Sequence, residues 1–558
     1  MTAPATAAKT LPDPFRAGMA GGWAVIDASA LPRDETFEAD VAIVGTGAGG
    51  GTTAEILTQA GLKVILIEEG PLRTSSDFRM REAEAYPDLY QESGARRTVD
   101  KAIGILQGRC VGGSTTVNWT SSFRTPPLTL EHWARFHGVD GLSAAALAPH
   151  FARMEKRLSI APWEVPPNAN NAALARGAEE IGIPAAAIRR NVVGCWNLGY
   201  CGMGCPTNAK QSMLVTTIPA ALDRGATLVT RARAQAFTLE RDRIAALTCV
   251  AMDARGIHPT ARRVTVRARA FVAASGAIGS PALLLRSGVP DPHGILGKRT
   301  FLHPVVISVA RMPERVAAFA GAPQTIYSDH FIDTLPPEGP IGFKLEAPPI
   351  HPILGAITVP SHGASHARWM HDLPNLQVLI ALLRDGFHPE SVGGSVVLQD
   401  DGTPALDYPL TPYVWDGARR ALATMAQIQF AAGATRVMPV HGDGAAYARW
   451  NDARAAIEGF ALAPRTTPVV SAHVMGGCPI GGDPRHAVVD AAGRHHQLAN
   501  LYVLDGSLFP TSIGANPQLS IYGIVAKLAD SLAATLAPAT AGAPRAAAQP
   551  DAGSPSVL

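Results

Sequence analysis

A glycine-rich segment near the start of the chain follows a short run of apolar and β-branched residues. The run is Asp40–Val44, and Gly45, Gly47 and Gly50 come directly after it, ahead of alanine and leucine residues at helical spacing. A strand, a glycine turn and a helix in this order bind the pyrophosphate of a dinucleotide, because glycine permits a tight turn, a close approach of backbone to phosphate, and close packing of helix on strand. The segment therefore predicts a dinucleotide site at a helix N-terminus.

An acidic residue stands where such a site needs one. Lys63–Ile67 predicts the second strand, and Glu68 follows it, 23 residues after Gly45. A carboxylate at this position hydrogen-bonds an unphosphorylated ribose, as in FAD or NAD. The spacing favours these two cofactors and does not distinguish between them.

Three later segments carry further motifs. The first runs from Gly108 to Thr120, the second from Gly276 to Gly288, and the third from His473 through Asp505-Gly506 to Pro517. They are similar to signatures of the glucose/methanol/choline (GMC) family of FAD-dependent oxidoreductases, and they occur in the family's order. Within the family, the chain resembles the long-chain alcohol oxidase and choline-dehydrogenase-like branches.

The resemblance implies FAD as the cofactor and assigns its contacts. For the second signature, packing without any cofactor contact stays open as an alternative. Some family members attach FAD covalently through a histidine immediately before the asparagine of the first signature; Val117 stands there, so noncovalent FAD is expected. The residues expected to contact FAD are Gly45, Gly47, Ala48, Gly49, Gly50, Glu68, Gly108, Gly112, Gly113, Ser114, Asn118, Trp119, Thr120, Ala234, Ser275, Gly276, Asp505, Gly506, Asn516 and Pro517.

The same resemblance assigns two catalytic residues. Alcohol oxidation needs a base for the hydroxyl proton and a group that holds the oxygen, and histidine, with a pKa near ~6.5, suits the first task. His473 matches the family's active-site histidine, and Asn516 matches its partner. The expected reaction converts a hydrophobic alcohol to its aldehyde or ketone by proton abstraction at His473 and hydride transfer to flavin N5. A GMC-fold lyase without net redox and a non-enzymatic nucleotide-binding protein are the alternatives.

A cysteine cluster suggests a further alternative. Cys195, Cys201 and Cys205 have the spacing C-x5-C-x3-C, ahead of Lys210. Three thiolates could hold an iron-sulfur cluster, which would indicate an iron-sulfur sugar or polyol dehydrogenase. A structural loop without metal is the main expectation, and zinc is disfavoured because a fourth ligand is not evident nearby.

The same segments also predict the secondary structure around these residues. Phe271–Ala274 predicts a buried strand, with Gly276 and Gly279 in a turn and Pro281 as the first residue of a helix. Asn516-Pro517 predicts the start of another helix, whose partial positive charge the resemblance directs at the flavin pyrimidine.

The predicted fold is α/β, with a Rossmann-like FAD-binding domain and an inserted α+β substrate domain built from an antiparallel sheet and helices. The FAD-binding domain is expected to be discontinuous, because the signatures are spread along the chain. The predicted boundaries are 38–150, 206–310 and 470–538 for the FAD-binding domain, 151–205 and 311–469 for the substrate domain, 1–37 for an N-terminal extension, and 539–558 for a disordered tail.

The substrate domain is expected to form the wall over the flavin that decides the substrate. Ser395–Gln399, the turn Asp400–Gly402 and a strand from Leu406 predict a hairpin within it. The apolar stretches Pro352–Val359 and Leu376–Leu383 suggest an uncharged substrate rather than a sugar or choline. Packing in the core would also explain both stretches.

Composition excludes several other functions. The 558 residues include 48 Lys+Arg against 46 Asp+Glu, and this near-neutral balance excludes the basic surface that nucleic acid requires. Six cysteines are too few for a disulfide framework, and no segment resembles a signal peptide or a membrane span. The expected partners are an alcohol and an electron acceptor, either O2 or a quinone or cytochrome. A cytoplasmic protein is expected, with peripheral membrane contact left open.

Overall fold

The computed structural model describes residues 11–442 and 444–536. Residues 1–10 of the predicted N-terminal extension and the predicted tail 539–558 lie outside the described residues. The helices are α1 Pro14–Ala20, α2 Ala48–Gln59, α3 Glu82–Leu89, α4 Ser114–Val117, α5 Pro127–His137, α6 Ala144–Arg157, α7 Ala169–Glu180, α8 Thr217–Asp223, α9 Gly276–Arg286, α10 His330–Asp333, α11 Pro352–Thr358, α12 Gly363–His371, α13 Pro412–Ala431, α14 Trp450–Gly459 and α15 Gln518–Leu536.

The strands form two large sheets, one small sheet and one two-stranded pair. They are β1 Ala24–Asp27, β2 Glu35–Val44, β3 Val64–Ile67, β4 Ile103–Ile105, β5 Ile160–Pro162, β6 Ala186–Ala187, β7 Arg189–Asn191, β8 Thr227–Thr230, β9 Ala232–Glu240, β10 Arg243–Met252, β11 Pro259–Ala273, β12 Lys298–Phe301, β13 Val305–Arg311, β14 Ile326–Ser328, β15 Phe343–Glu346, β16 Leu376–Leu383, β17 Gly394–Leu398, β18 Pro404–Asp407, β19 Arg436–Pro439, β20 Val469–Ser471, β21 Met475–Gly476 and β22 Leu501–Val503.

The first large sheet has the order β1-β8-β3-β2-β11-β10-β9, with β22 also pairing with β11. From β1 to β11, and between β11 and β22, neighbouring strands are parallel, whereas β9 and β10 are antiparallel. The four residues of β3 and the last four of β2 are buried, as is typical of parallel strands covered on both faces. Helices α2, α8 and α15 pack together beside this sheet. The predicted Rossmann-like sheet is confirmed.

The second large sheet has the order β4-β20-β13-β16-β15-β14-β6, with β19 also pairing with β13. Its pairs are antiparallel except for β4 and β20. Helix α13 packs against β13 and β16, and α7 and α14 pack against α13. This is the predicted antiparallel sheet with helices, so the predicted fold class is confirmed. The sheets do not fix the residues at which one domain ends and the next begins. The predicted domain boundaries therefore stay a proposal.

The predicted hairpin is confirmed as β17 and β18. It lies in the small sheet, where β17 pairs with β12 and β12 pairs with β21, and not in the second large sheet. One local prediction is wrong. Helix α9 begins at Gly276, so Pro281 lies inside it and not at its first position. The Asp505 carboxylate accepts the N–H of Gly276 at 2.7 Å and stabilises this earlier start. The contact spans the fold, so the local pattern does not contain it.

Helix α15 begins at Gln518, two residues after Asn516, which is within the usual spread of helix ends. In the described part of the chain, it is the one helix that is long and apolar enough to cross a membrane. It has 19 residues and a mean hydropathy of 1.3. Its apolar residues Val525, Leu528 and Leu532 are buried, and it packs against α2 and α6. In this fold α15 is therefore a core helix.

Candidate active site

A cavity of about 1090 Å³ lies between the carboxyl ends of the parallel strands and the second large sheet. Most of the sequence-predicted residues meet there. Doubly wound folds bind their ligands at this edge of the sheet. The predicted residues that line it are Gly45, Gly47, Ala48, Gly49, Glu68, Gly108, Gly113, Ser114, Asn118, Trp119, Thr120, Ala234, Ser275, Gly276, His473, Asp505, Gly506, Asn516 and Pro517. Gly50 and Gly112 are not among the lining residues.

The glycine loop brings the N-terminus of α2 to this cavity. Gly45 has φ +101°, and a Cβ there would lie 2.4 Å from the carbonyl oxygen of Ala274. Gly47 caps α2 without a side-chain hydrogen bond, and a Cβ there would meet only the Cα of Gly113, at 3.9 Å. The first N–H groups of a helix need partners, and an anion supplies them.

Gly50 and Gly112 serve the packing around the loop. A Cβ on Gly50 would lie 1.9 Å from the carbonyl oxygen of Gly45, so only glycine allows α2 to approach the turn. Gly112 has φ +87°, and its N–H donates to the Thr46 hydroxyl at 3.0 Å. Both residues shape the cavity from behind its surface.

Glu68 directly follows β3 and lies at the edge of the cavity. One carboxylate oxygen accepts from the N–H and the hydroxyl of Thr46, at 3.2 and 2.6 Å, and the other accepts from the N–H of Gly70 at 2.9 Å. Burial raises the pKa of Glu68, and these donors oppose the rise. The neighbouring Glu69, which no sequence motif indicated, forms ion pairs with Arg109 and Arg233.

Asp505 joins the second and third motifs. Besides the N–H of Gly276, its carboxylate accepts from the hydroxyl of Ser280 at 2.6 Å and from the N–H of Ser507 at 2.8 Å. It thereby fixes the start of α9 against the end of β22. Burial raises the pKa of the Asp505 carboxyl, and the bonds from Ser280 and Ser507 oppose the rise.

Two residues outside the predicted site, Lys210 and Gln518, hold the first signature in place. The Nζ of Lys210 donates to the carbonyl oxygens of Thr116, Asn118 and Cys201 at 2.7 to 2.8 Å. Gln518, at the start of α15, accepts from the Asn118 amide at 2.8 Å. The sequence offered one indication of the Lys210 contacts, which is a lysine that follows the cysteine cluster.

The three clustered cysteines bind neighbouring groups of the protein. The Cys195 sulfur accepts from the N–H of Asn197, and the Cys201 sulfur accepts from Arg190. Cys205 contacts the hydroxyl of Thr207 at 3.5 Å. Among the residues that the structure describes, no three His, Cys, Asp or Glu side chains are placed to hold a metal ion. Nothing in this arrangement supports the iron-sulfur alternative.

His473 follows β20 and stands beside a second histidine that was not predicted. The Nδ1 atoms of His473 and His303 lie 3.4 Å apart, and Nε2 of His303 accepts from the N–H of Gly514 at 3.0 Å. Burial lowers the pKa of His473 to about 4, and the positive charge of Lys344 adds to the effect. Burial also lowers the pKa of His303 well below its usual value. Both rings are therefore neutral at ordinary pH.

Asn516 lies just before α15. Its Nδ2 donates to the carboxylate of Glu346 at 3.3 Å. Its Oδ1 has no hydrogen-bond partner among the described residues. His473 and Asn516 both line the cavity, so the structure brings the two predicted catalytic residues to one chamber.

One wall of this cavity is formed mainly by apolar side chains, although Gln324 and Thr358 also line it. Side chains of the second large sheet and of α11 and the loop before it form its wall. They are Val305, Ile307, Ile350, Leu354, Val378, Ile380 and Leu382.

These residues fit FAD. The N-terminus of α2 lies at the cavity without a side-chain cap, Glu68 lies 23 residues beyond the first glycine of the loop, and the cavity has the size of a large ligand site. The glycine loop, Glu68, residues 108–120, Ser275-Gly276 and Asp505-Gly506 would hold it. A Rossmann-like site closed by an antiparallel sheet, with a histidine after β20 and an asparagine before α15, is typical of an FAD-binding oxidoreductase.

Comparison with known proteins agrees with this class. Two family models for GMC oxidoreductases match residues 86–305 and 389–524. An uncharacterized GMC-type oxidoreductase of Sinorhizobium fredii is 29% identical over 508 residues, which are 90% of this chain and 96% of the relative. A long-chain-alcohol oxidase of Arabidopsis thaliana is 28% identical over 526 residues, which are 88% of this chain and 67% of the relative.

A solved structure shows the same fold. The formate oxidase of Aspergillus oryzae RIB40 superposes with a TM-score of 0.63 at 14% identity, covering 89% of this chain and 98% of that one. The chain belongs to the GMC family of FAD-dependent oxidoreductases.

Proposed function

We propose that the protein oxidises an uncharged, hydrophobic alcohol to its aldehyde or ketone. The observation that carries the proposal is the apolar wall of the chamber into which His473 and Asn516 face. An apolar pocket with a few convergent polar groups selects a substrate by its hydrophobic surface and orients its one polar group. The similarity to a long-chain-alcohol oxidase supports the same substrate class.

His473 and Asn516 would act on the hydroxyl group. FAD, when bound, supplies the acceptor for the hydride that leaves the substrate carbon. His473 accepts the hydroxyl proton, because its lowered pKa keeps the imidazole neutral above about pH 4. The Asn516 amide holds the substrate oxygen.

The neighbouring histidine sets a condition on this role. Since Nε2 of His303 accepts from Gly514, neutral His303 carries its proton on Nδ1, directed at Nδ1 of His473. In that arrangement His473 carries its own proton on Nε2 and donates. To accept a proton on Nε2, both rings must adopt the opposite tautomer, and the N–H of Gly514 must then turn away from His303.

Noncovalent FAD and the identity of the electron acceptor belong to the same proposal. Val117, at the position of the attaching histidine, is a buried aliphatic side chain that offers no nucleophile. O2 or a quinone or cytochrome would reoxidise the enzyme. The cytoplasmic location and the peripheral membrane contact stay predictions.

Anaerobic mixing of the purified holoenzyme with a panel of alcohols tests the reaction. Long-chain and aromatic alcohols should bleach the visible absorbance of oxidised flavin faster than sugars or choline do. Admission of air then separates an oxidase, which recovers promptly, from a dehydrogenase, which recovers slowly. If no alcohol bleaches the flavin, the proposed reaction is wrong.

A further inference from the structure

Glu346 is a buried carboxylate in direct contact with a proposed catalytic residue. It lies on β15, is 0% exposed, and accepts hydrogen bonds from the side-chain amides of Asn516 and Gln324 through Oε2. Its Oε1 is buried without a hydrogen-bond partner among the described residues. Buried carboxylates are costly unless they are fully paired, so this incomplete pairing requires a reason.

The sheet register directs Glu346 towards the reaction chamber. Glu346 stands opposite Ile380 on the antiparallel strand β16, and paired residues project from the same face of a sheet. Ile380 lines the cavity, as does Asn516, whereas Glu346 itself is not among the lining residues. Asn516 therefore stands between the carboxylate and the substrate space.

A buried cation shares this face of β15. Lys344 forms an ion pair with Asp329 at 2.6 Å and lies over the rings of Phe123 and Tyr327. The charged and titratable groups that act on Glu346 or on its neighbours are Tyr327, Asp329, Asp333, Lys344, Arg384, His303, His330 and His473.

Both protonation states of Glu346 are populated near neutral pH. Burial raises its pKa to about 7, Lys344 and the bonds from Asn516 and Gln324 oppose the rise, and Asp329 adds to it. An ionised carboxylate is a stronger hydrogen-bond acceptor than a neutral carboxyl group. The hold on Asn516 is therefore strongest above this pKa.

We propose that Glu346 is a positioning residue, which holds the Asn516 amide so that one N–H is committed to the carboxylate and the other is presented to the substrate oxygen. The proposal rests on the proposed alcohol oxidation. An asparagine amide has two N–H donors and can rotate, so without this anchor it has no fixed orientation towards the hydroxyl group. Orientation of this kind affects the rate of the chemical step more than substrate binding.

The test compares flavin reduction by a saturating alcohol in the wild type, Glu346→Gln and Glu346→Leu from pH 5.5 to pH 9. In the wild type the reduction rate should fall by about tenfold from pH 9 to pH 5.5, as Glu346 becomes protonated. Glu346→Gln keeps an acceptor oxygen but cannot ionise, so its rate should lack this dependence. Glu346→Leu should be about tenfold slower at high pH, with little change in KM.

Three further measurements keep the test decisive. FAD content and melting temperature report folding, and Glu346→Gln should be more stable than the wild type at pH 8, where burying the ionised group is costly. Infrared spectra of the holoenzyme should show a carboxyl group that titrates near pH 7 and is missing in Glu346→Gln, independently of activity. Glu55→Gln is the matched control, because Glu55 is buried, pairs with Arg157 and is not among the lining residues.

A pH dependence that persists in Glu346→Gln would overturn the proposal. A wild-type reduction rate that rises as Glu346 becomes protonated would also overturn the proposal. In that case the negative charge would oppose the reaction instead of holding Asn516. A wild type that no alcohol reduces would instead overturn the proposed function.

Discussion

At the scale of single residues, the candidate site combines groups whose surroundings set their protonation states. His473 is neutral because burial and Lys344 oppose a second positive charge, whereas Glu346 titrates near neutral pH because burial opposes its negative charge. Perturbed groups of this kind cluster at functional sites. His473 lines the cavity itself, whereas Glu346 contacts it only through Asn516, so their contributions can be separated by mutation.

His473→Ala should retain FAD and lose most of its hydride transfer. General-base catalysis contributes ~10²- to 10⁴-fold, so flavin reduction by the best alcohol should slow by about this factor. The measurement is the anaerobic reduction rate at equal FAD content. His150→Ala, on α6 beside Asp530, is the control and should reduce flavin at the wild-type rate. Unimpaired reduction in His473→Ala would contradict the base assignment.

At the scale of elements, the turn between β2 and α2 uses its glycines for different purposes. Gly47 has open space where a side chain would project, whereas a Cβ on Gly50 would collide with the backbone of Gly45. Both residues match the same motif, so the motif by itself does not separate the glycine that faces the cofactor from the one that packs the helix.

Two alanine substitutions distinguish these purposes. Gly47→Ala should fold and lose FAD affinity, because its φ of −69° suits alanine and its Cβ would project towards the phosphate position. Gly50→Ala should lower the melting temperature and the yield of folded protein, because the helix must move away from the turn. Circular dichroism and FAD titration of each variant check this. Full FAD affinity in Gly47→Ala would refute the assignment of its amide to the cofactor.

At the scale of the whole molecule, the cavity joins the two large sheets. Residues at the ends of the parallel strands form one side, and β13 and β16 form the other. A ligand that binds only the folded chain stabilises it by mass action, by about 2.7 kcal/mol at 100 times its dissociation constant. Cofactor binding should therefore contribute to the stability of both sheets together.

Removal of FAD should lower the melting temperature, and added FAD should restore it in a concentration-dependent manner. Thermal unfolding of stripped protein at increasing FAD concentrations measures the effect. Gly47→Ala should show a much smaller rise over the same range. A melting temperature that does not depend on FAD would exclude a cofactor that holds the two sheets together.

The dinucleotide loop, the fold class and the motifs that meet in the cavity could be predicted from the amino-acid sequence. These features follow from local patterns, since glycines, β-branched runs and a spaced acid specify a strand, a turn and a helix wherever they occur. The start of α9 at Gly276 and the place of β17 and β18 in the small sheet depend on tertiary packing. The positions of His303 beside His473 and of Glu346 beside Asn516 depend on it as well. The physical reason is that each of these contacts joins residues about 100 or more positions apart, so packing of distant elements sets them and no local pattern contains them.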